Sequence, residues 1–222
     1  MEKLTNNIAE KISLELGLDN DHKEVIAYGA FALLDTIFCM ALIVIFGLIF
    51  GVLLESLIVS FTISILRKYS GGAHASSPGI CAGVGTVIAV GLALLIYFIS
   101  IPLINFRFII LLALPTFAWS YYIIHKLAPV DSAAKPIKTD RKKERLKRGS
   151  ILVLCAYMAI VVLNILMYLL VHEKKLLTFS LCIYGGTIWQ AFTLTKGGHV
   201  TIAKVDAFLN HILTFIKGGK MI

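Results

Sequence analysis

Six apolar runs, the second of them short, occupy most of the chain from Val25 to Leu194. A hydrocarbon core about 30 Å thick takes roughly 20 residues of helix. The runs extend from Val25 to Phe50, Val52 to Leu66, Ala82 to Ile101, Phe108 to Ile124, Ile151 to Val171 and Leu176 to Leu194. Gly51 separates the first two, which predicts a tight hairpin, and Pro115 predicts a kink in the fourth. Hydrophobic residues make up 58% of the chain and charged residues only 15%. A soluble domain carries about a quarter charged residues, so the solvent for this surface is lipid. The expected fold is all-α: a polytopic integral membrane protein of about six transmembrane helices, one membrane-embedded domain over residues 1–222.

The two ends differ from the middle. Residues 1–24 are polar, with Leu4, Ile8, Ile12 and Leu16 recurring every four positions and no signal-peptide layout. Residues 199–222 place Ile202, Val205, Leu209, Ile212 and Ile216 at helical spacing. Both segments carry lysines and read as amphipathic helices lying in the membrane interface.

The formal net charge is +8. Its distribution speaks for topology rather than for nucleic acid, because the cations cluster between apolar runs. The stretch 126–149 holds nine of them and includes "RKKERLKR". Placing it in the cytoplasm puts both termini and the 67–81 loop there too. Of the 21 Lys and Arg residues, only Arg107, Lys174 and Lys175 then face outside.

The third run is preceded by a polar interruption, "RKYSGGAHASSPGIC", from Arg67 to Cys81. Ser77 is suited to cap a helix and Pro78 to its first position. Cys81 then falls in the first turn, where exposed amides and the helix dipole favour a thiolate and could face a developing oxyanion. His74 lies seven residues earlier. On one continuous helix that separation would be about 10 Å along the axis, so a Cys–His dyad requires the chain to turn back. Gly71, Gly72, Pro78 and Gly79 supply the turn chemistry. The residues alone leave other readings open: a solvated interfacial histidine with a small apolar cysteine, or a metal pair that lacks the third and fourth ligands zinc needs. Cys39, Cys155 and Cys182 lie inside apolar runs and no CxxC occurs, so neither a disulfide framework nor a metal site is expected. Asp35 and Glu55 are carboxylates within runs. Asp35 is a candidate to orient His74 or line a groove, and equally a paired structural residue.

This loop resembles that of the accessory gene regulator protein B (AgrB) family of bacterial quorum-sensing systems, in which an arginine, a Gly-x-His and a cysteine seven residues beyond the histidine recur. Here those positions are Arg67, Gly72, His74 and Cys81. The stretch "APVDSAAKPI" before the basic segment also resembles the family, as do the length and number of spans. The resemblance implies a membrane cysteine endopeptidase with Cys81 as nucleophile and His74 as general base, Gly72 letting the loop fold and Arg67 needed for activity. Ser76, Ser77 and Asp35 remain candidate orienters. It implies cleavage of a small precursor peptide near its acidic C-terminal tail, a thioester on the enzyme, and cyclisation to a thiolactone or lactone. It also implies a bacterial cell membrane, a homodimer and no cofactor. Lys138, Arg141, Lys142, Lys143, Arg145, Lys147 and Arg148 are expected to attract the acidic tail, or to serve orientation alone. No cysteine follows Cys182, so the precursor is expected to be a separate polypeptide.

Two rival readings remain. A small transporter or exporter would use Asp35 and Glu55 without covalent chemistry, and a scaffold would use the basic stretch to hold lipid or a partner.

Overall fold

The computed structural model describes residues 2–73, 75–131 and 139–218. Those residues form eight helices and no strand: α1 (Glu2–Leu16), α2 (Asn20–Ile49), α3 (Leu53–Ser70), α4 (Pro78–Leu103), α5 (Phe106–Leu127), α6 (Asp140–Val171), α7 (Lys175–Thr193) and α8 (Lys196–Gly218). The all-α membrane architecture expected from the apolar runs is therefore present. Four helices are long and apolar enough to cross a membrane: Asn20–Ile49, Pro78–Phe98, Phe106–Leu127 and Asp140–Val171.

The chain divides into two compact units, residues 1–42 and 43–222. In the first, α1 ends at Gly17, whose φ of 61° admits the left-handed cap, and Leu18 N–H bonds back to Ser13 C=O at 2.9 Å. Asp19 then caps α2, accepting from His22 N–H at 2.9 Å. The amphipathic segment thus stops earlier than the expected residue 24. The Asp19 cap and the helix-compatible sequence after it start the long second helix at Asn20.

The second unit begins near a tight turn at Gly51, where the sequence separates the first two runs. Gly51 has φ 68°, and Val52 N–H reaches Gly47 C=O at 2.9 Å. α7 lies at the centre of this unit, against α3, α4, α5, α6 and α8. Its buried positions include Ser180, Gly186, Thr187, Gln190 and Thr193 as well as Leu177 and Ile183. A helix largely enclosed by other helices meets little lipid along its buried faces, where small and polar residues serve it better than large apolar ones. Gly186 illustrates the fit, since a Cβ there would lie 2.8 Å from Thr62 of α3. Cross-helix hydrogen bonds add to the packing: Tyr157 Oη donates to Thr62 C=O at 2.9 Å, and Tyr184 Oη to Ile109 C=O at 3.1 Å. Leu111, Leu114, Leu152 and Leu170, by contrast, are exposed on α5 and α6, as lipid-facing residues are.

One expectation is corrected here. The basic stretch 126–149 is not a loop throughout, because α6 begins at Asp140 and carries "RKKERLKR" as its first turns. Strong helix formers, Asp140 in the first turn and the Glu144–Arg148 pair at 2.6 Å favour helix over loop. Residues 132–138, with Lys138, lie outside the described residues. Pro115 lies inside α5, which continues through it.

Candidate active site

The quoted loop connects α3 to α4, and its start is fixed by backbone geometry. Gly71 adopts φ 70° and Gly72 φ 137°, conformations that side chains rarely allow. Space is short as well. A Cβ on Gly71 would lie 2.1 Å from Val130 O, and one on Gly72 2.8 Å from Thr193 Oγ1.

Three segments distant in sequence hold this loop. Val130 N–H donates to Ser70 C=O at 2.9 Å, so the "APV" after α5 runs beside Gly71. The Gln190 side-chain amide donates to Ser70 Oγ at 3.0 Å and Gly71 C=O at 2.7 Å, and Ala73 N–H donates to Thr193 C=O at 3.2 Å. From α8, Asp206 accepts from Ser76 N–H at 3.0 Å and from Ser76 Oγ at 2.9 Å. None of Val130, Gln190, Thr193, Asp206 or Asn210 was singled out from the sequence. The one available signal was Gln190, a carboxamide inside an apolar run.

At the far end of the loop the sequence expectation holds. α4 begins at Pro78, and Ser77 caps it: Ser77 Oγ accepts from Ile80 N–H at 3.3 Å and Ser77 C=O from Cys81 N–H at 3.0 Å. Cys81 therefore sits in the first turn, a half-buried free thiol. Of the amides in that turn, Pro78 has no N–H, and those of Ile80 and Cys81 are engaged with Ser77.

Arg67 supplies a charge instead. Its guanidinium donates to Ala73 C=O and interacts electrostatically with Cys81. Arg67, Gly72, Ser77 and Cys81 are thus brought to one loop. His74 lies outside the described residues. Asp35 stands half-buried in α2, within the unit of residues 1–42.

Beside the 128–130 segment lies a cavity of about 670 Å³, lined by Ala128, Pro129, Asp140, Arg141, Lys143, Glu144 and Lys147. Lys143 lies 3.9 Å from Asp140, and Glu144 is paired with Arg148. Arg141 and Lys147 form no ion pair among the described residues. Of the expected tail-binding cations, Lys142, Arg145 and Arg148 do not line this cavity.

The described residues thus form an all-α membrane protein that sets a half-buried thiol at a helix start behind a glycine-bent loop. The family model described as accessory gene regulator B matches residues 5–194. Two AgrB-like proteins of Clostridium perfringens, from strain SM101 / Type A and strain 13 / Type A, are each 40% identical over 213 residues, covering 96% of this chain and all of the relative. The chain belongs to the accessory gene regulator B family, and membership implies a role in quorum-sensing peptide processing. No solved structure matches it.

Proposed function

We propose that the protein is a membrane cysteine endopeptidase that cleaves a separate small precursor peptide near its C-terminus and passes the remainder, as a thioester on Cys81, to ring closure. The observation carrying this is the position of Cys81: first turn of α4, capped by Ser77, and coupled electrostatically to Arg67.

The chemistry balances with the residues of the loop. His74 takes the thiol proton, and the Cys81 sulfur adds to the carbonyl carbon of the scissile amide. Arg67 faces the negative charge that develops there. The C–N bond breaks, and the acidic tail leaves as an amine carrying the proton from His74. A cysteine thiol or serine hydroxyl of the same precursor then gives its proton to His74 and attacks the thioester. The bond to Cys81 breaks, and the Cys81 sulfur takes the proton back. Exchange of one thioester for another retains most of the bond's free energy, and the intramolecular attack outruns water.

The acidic tail docks in the cavity beside Pro129, where Arg141 and Lys147 are free to pair with it. Val130 joins that cavity's wall to the catalytic loop through Ser70. α3 and α7, of 18 and 19 residues, also cross the membrane, since each rises about 27 Å or more. Six spans then place both termini, the cavity and Cys81 at the cytoplasmic face.

The test is processing of a synthetic or co-expressed precursor. Cys81→Ala and His74→Ala abolish cleavage while the protein stays in the membrane, and Cys39→Ser, Cys155→Ser and Cys182→Ser retain it. Normal processing by Cys81→Ala would rule out the covalent route and leave a transporter as the better account. Labelling of position 81 only from outside the cell would overturn the orientation.

A further inference from the structure

We propose that α8 is part of the active site's scaffold, with Asp206 the positioning residue that holds the loop in front of Cys81; the role in catalysis rests on the peptidase reading above. α8 begins at Lys196, beyond the 5–194 stretch that the family model matches. One face of it is nevertheless bonded to the loop that precedes Cys81.

The contact consists of three hydrogen bonds at the protein surface. Ser76 donates its backbone N–H to Asp206 Oδ1 at 3.0 Å and its hydroxyl to the same oxygen at 2.9 Å. The Ser76 hydroxyl in turn accepts from Asn210 Nδ2 at 2.9 Å. Asp206 and Asn210 are four positions apart, so both project from one side of the helix. Bonds from an N–H or O–H to a carboxylate are roughly twice as strong as neutral ones. Ser76 is the residue before Ser77, whose oxygens hold the amides of Ile80 and Cys81. A connected path of two residues therefore runs from Asp206 to the start of the helix that bears the thiol.

α8 is anchored well enough to act as a clamp. Thr195 Oγ1 caps it by accepting from Gly198 N–H at 3.1 Å, and Thr195 N–H bonds to Phe192 C=O at 2.9 Å. A Cβ on Gly198 would lie 2.2 Å from Phe192 O, so the turn from α7 into α8 is tightly closed. Ile202, one turn before Asp206, is buried. Asp206 touches neither Cys81 nor Arg67 in any described contact, so its effect is on geometry. Near-ångström displacement of a nucleophile can cost on the order of a hundredfold in rate.

The experiment uses full-length protein in proteoliposomes, with Cys81 as its only cysteine after Cys39→Ser, Cys155→Ser and Cys182→Ser. Asp206→Ala, Asp206→Asn and Asn210→Ala are compared in cleavage of a synthetic precursor and in the rate at which a maleimide labels Cys81. Asp206→Ala is expected to lower kcat by about tenfold to a hundredfold with little change in KM. Asp206→Asn keeps an acceptor for both Ser76 donors and restores kcat to within about threefold. Asn210→Ala, which leaves the carboxylate in place, gives a smaller fall and guards against misfolding of Asp206→Ala. The labelling rate follows the same order. Unchanged kcat and labelling in Asn210→Ala and Asp206→Ala would overturn the proposal, as would Asp206→Asn behaving like Asp206→Ala. Cleavage that persists in Cys81→Ala would instead remove the peptidase reading, and maleimide labelling would still decide whether α8 sets the environment of Cys81.

Discussion

The side-chain amide of Gln190 bridges Ser70 and Gly71, residues 120 and 119 positions away in sequence, at 3.0 and 2.7 Å. Both protons of a fully buried carboxamide are thus committed to the first residues of the loop. Gln190→Leu keeps the bulk and removes both bonds. Each buried group left unpaired costs about 1–3 kcal/mol. Processing is expected to fall by tenfold or more, on the order of what misplacing a reacting group costs, with the protein still inserted in the membrane. Gln190→Glu should be worse, because it sets a carboxylate against the Gly71 carbonyl. Full processing by Gln190→Leu would show that the bridge does not position the loop.

Gly71 answers to a different constraint. Its φ of 70° and a would-be Cβ 2.1 Å from Val130 O leave no room for a methyl group, and the obstacle is backbone. Strain of this kind costs roughly 1–3 kcal/mol before the clash is counted. Gly71→Ala is expected to push the 128–130 segment off the loop and abolish processing. Gly91→Ala, at a helical position with nothing within 4 Å, should be active and no less stable. Thermal unfolding in detergent beside a processing assay separates the two. Equal behaviour of the two variants would contradict the close approach.

The helices were legible because a bilayer demands long apolar runs, and each of the six runs falls on one of α2 to α7. Cys81 at a capped helix start was legible too, since Ser77–Pro78 is a local signal. The clamp residues were not. Gln190 and Asp206 act across more than a hundred positions, and nothing local distinguishes a carboxamide that holds a loop from one that packs between helices. The start of α6 was not legible, because a dense run of cations reads as a solvated loop. Helix propensity and the Glu144–Arg148 pair outweigh the repulsion.

The cap of α2 carries a pH dependence. His22 N–H, then the His22 ring at 2.5 Å, hold the Asp19 carboxyl below its ordinary 3.8. A folded-state pKa lowered in this way contributes stability above the unfolded value and loses it as pH falls through the folded one. The His22 amide should therefore lose protection, relative to its intrinsic exchange rate, as pH falls below 3.8. Asp19→Asn keeps an acceptor that does not titrate, so its profile should show no such step. A step at the same pH in both proteins would assign the effect to another group.

Two pairs of cations on α6 distinguish docking from orientation. Arg141 and Lys147 line the cavity beside Pro129, whereas Lys142 and Arg145 on the same helix do not. Reversing either pair to glutamate changes the net charge by the same amount within a few residues, so the influence on membrane orientation is equal. An acidic tail in the cavity would feel only the first pair at close range, because exposed charges more than about 10 Å apart are screened at 0.1 M salt. Arg141→Glu with Lys147→Glu is therefore expected to raise KM for an acidic-tailed precursor by tenfold or more, about 1.4 kcal/mol or more in binding. Lys142→Glu with Arg145→Glu should change it by less than about threefold. Raising the salt should narrow the difference between the pairs. Equal KM values for the two pairs, with orientation confirmed by labelling, would reduce the basic stretch to a topology signal and leave the acidic tail without a defined seat.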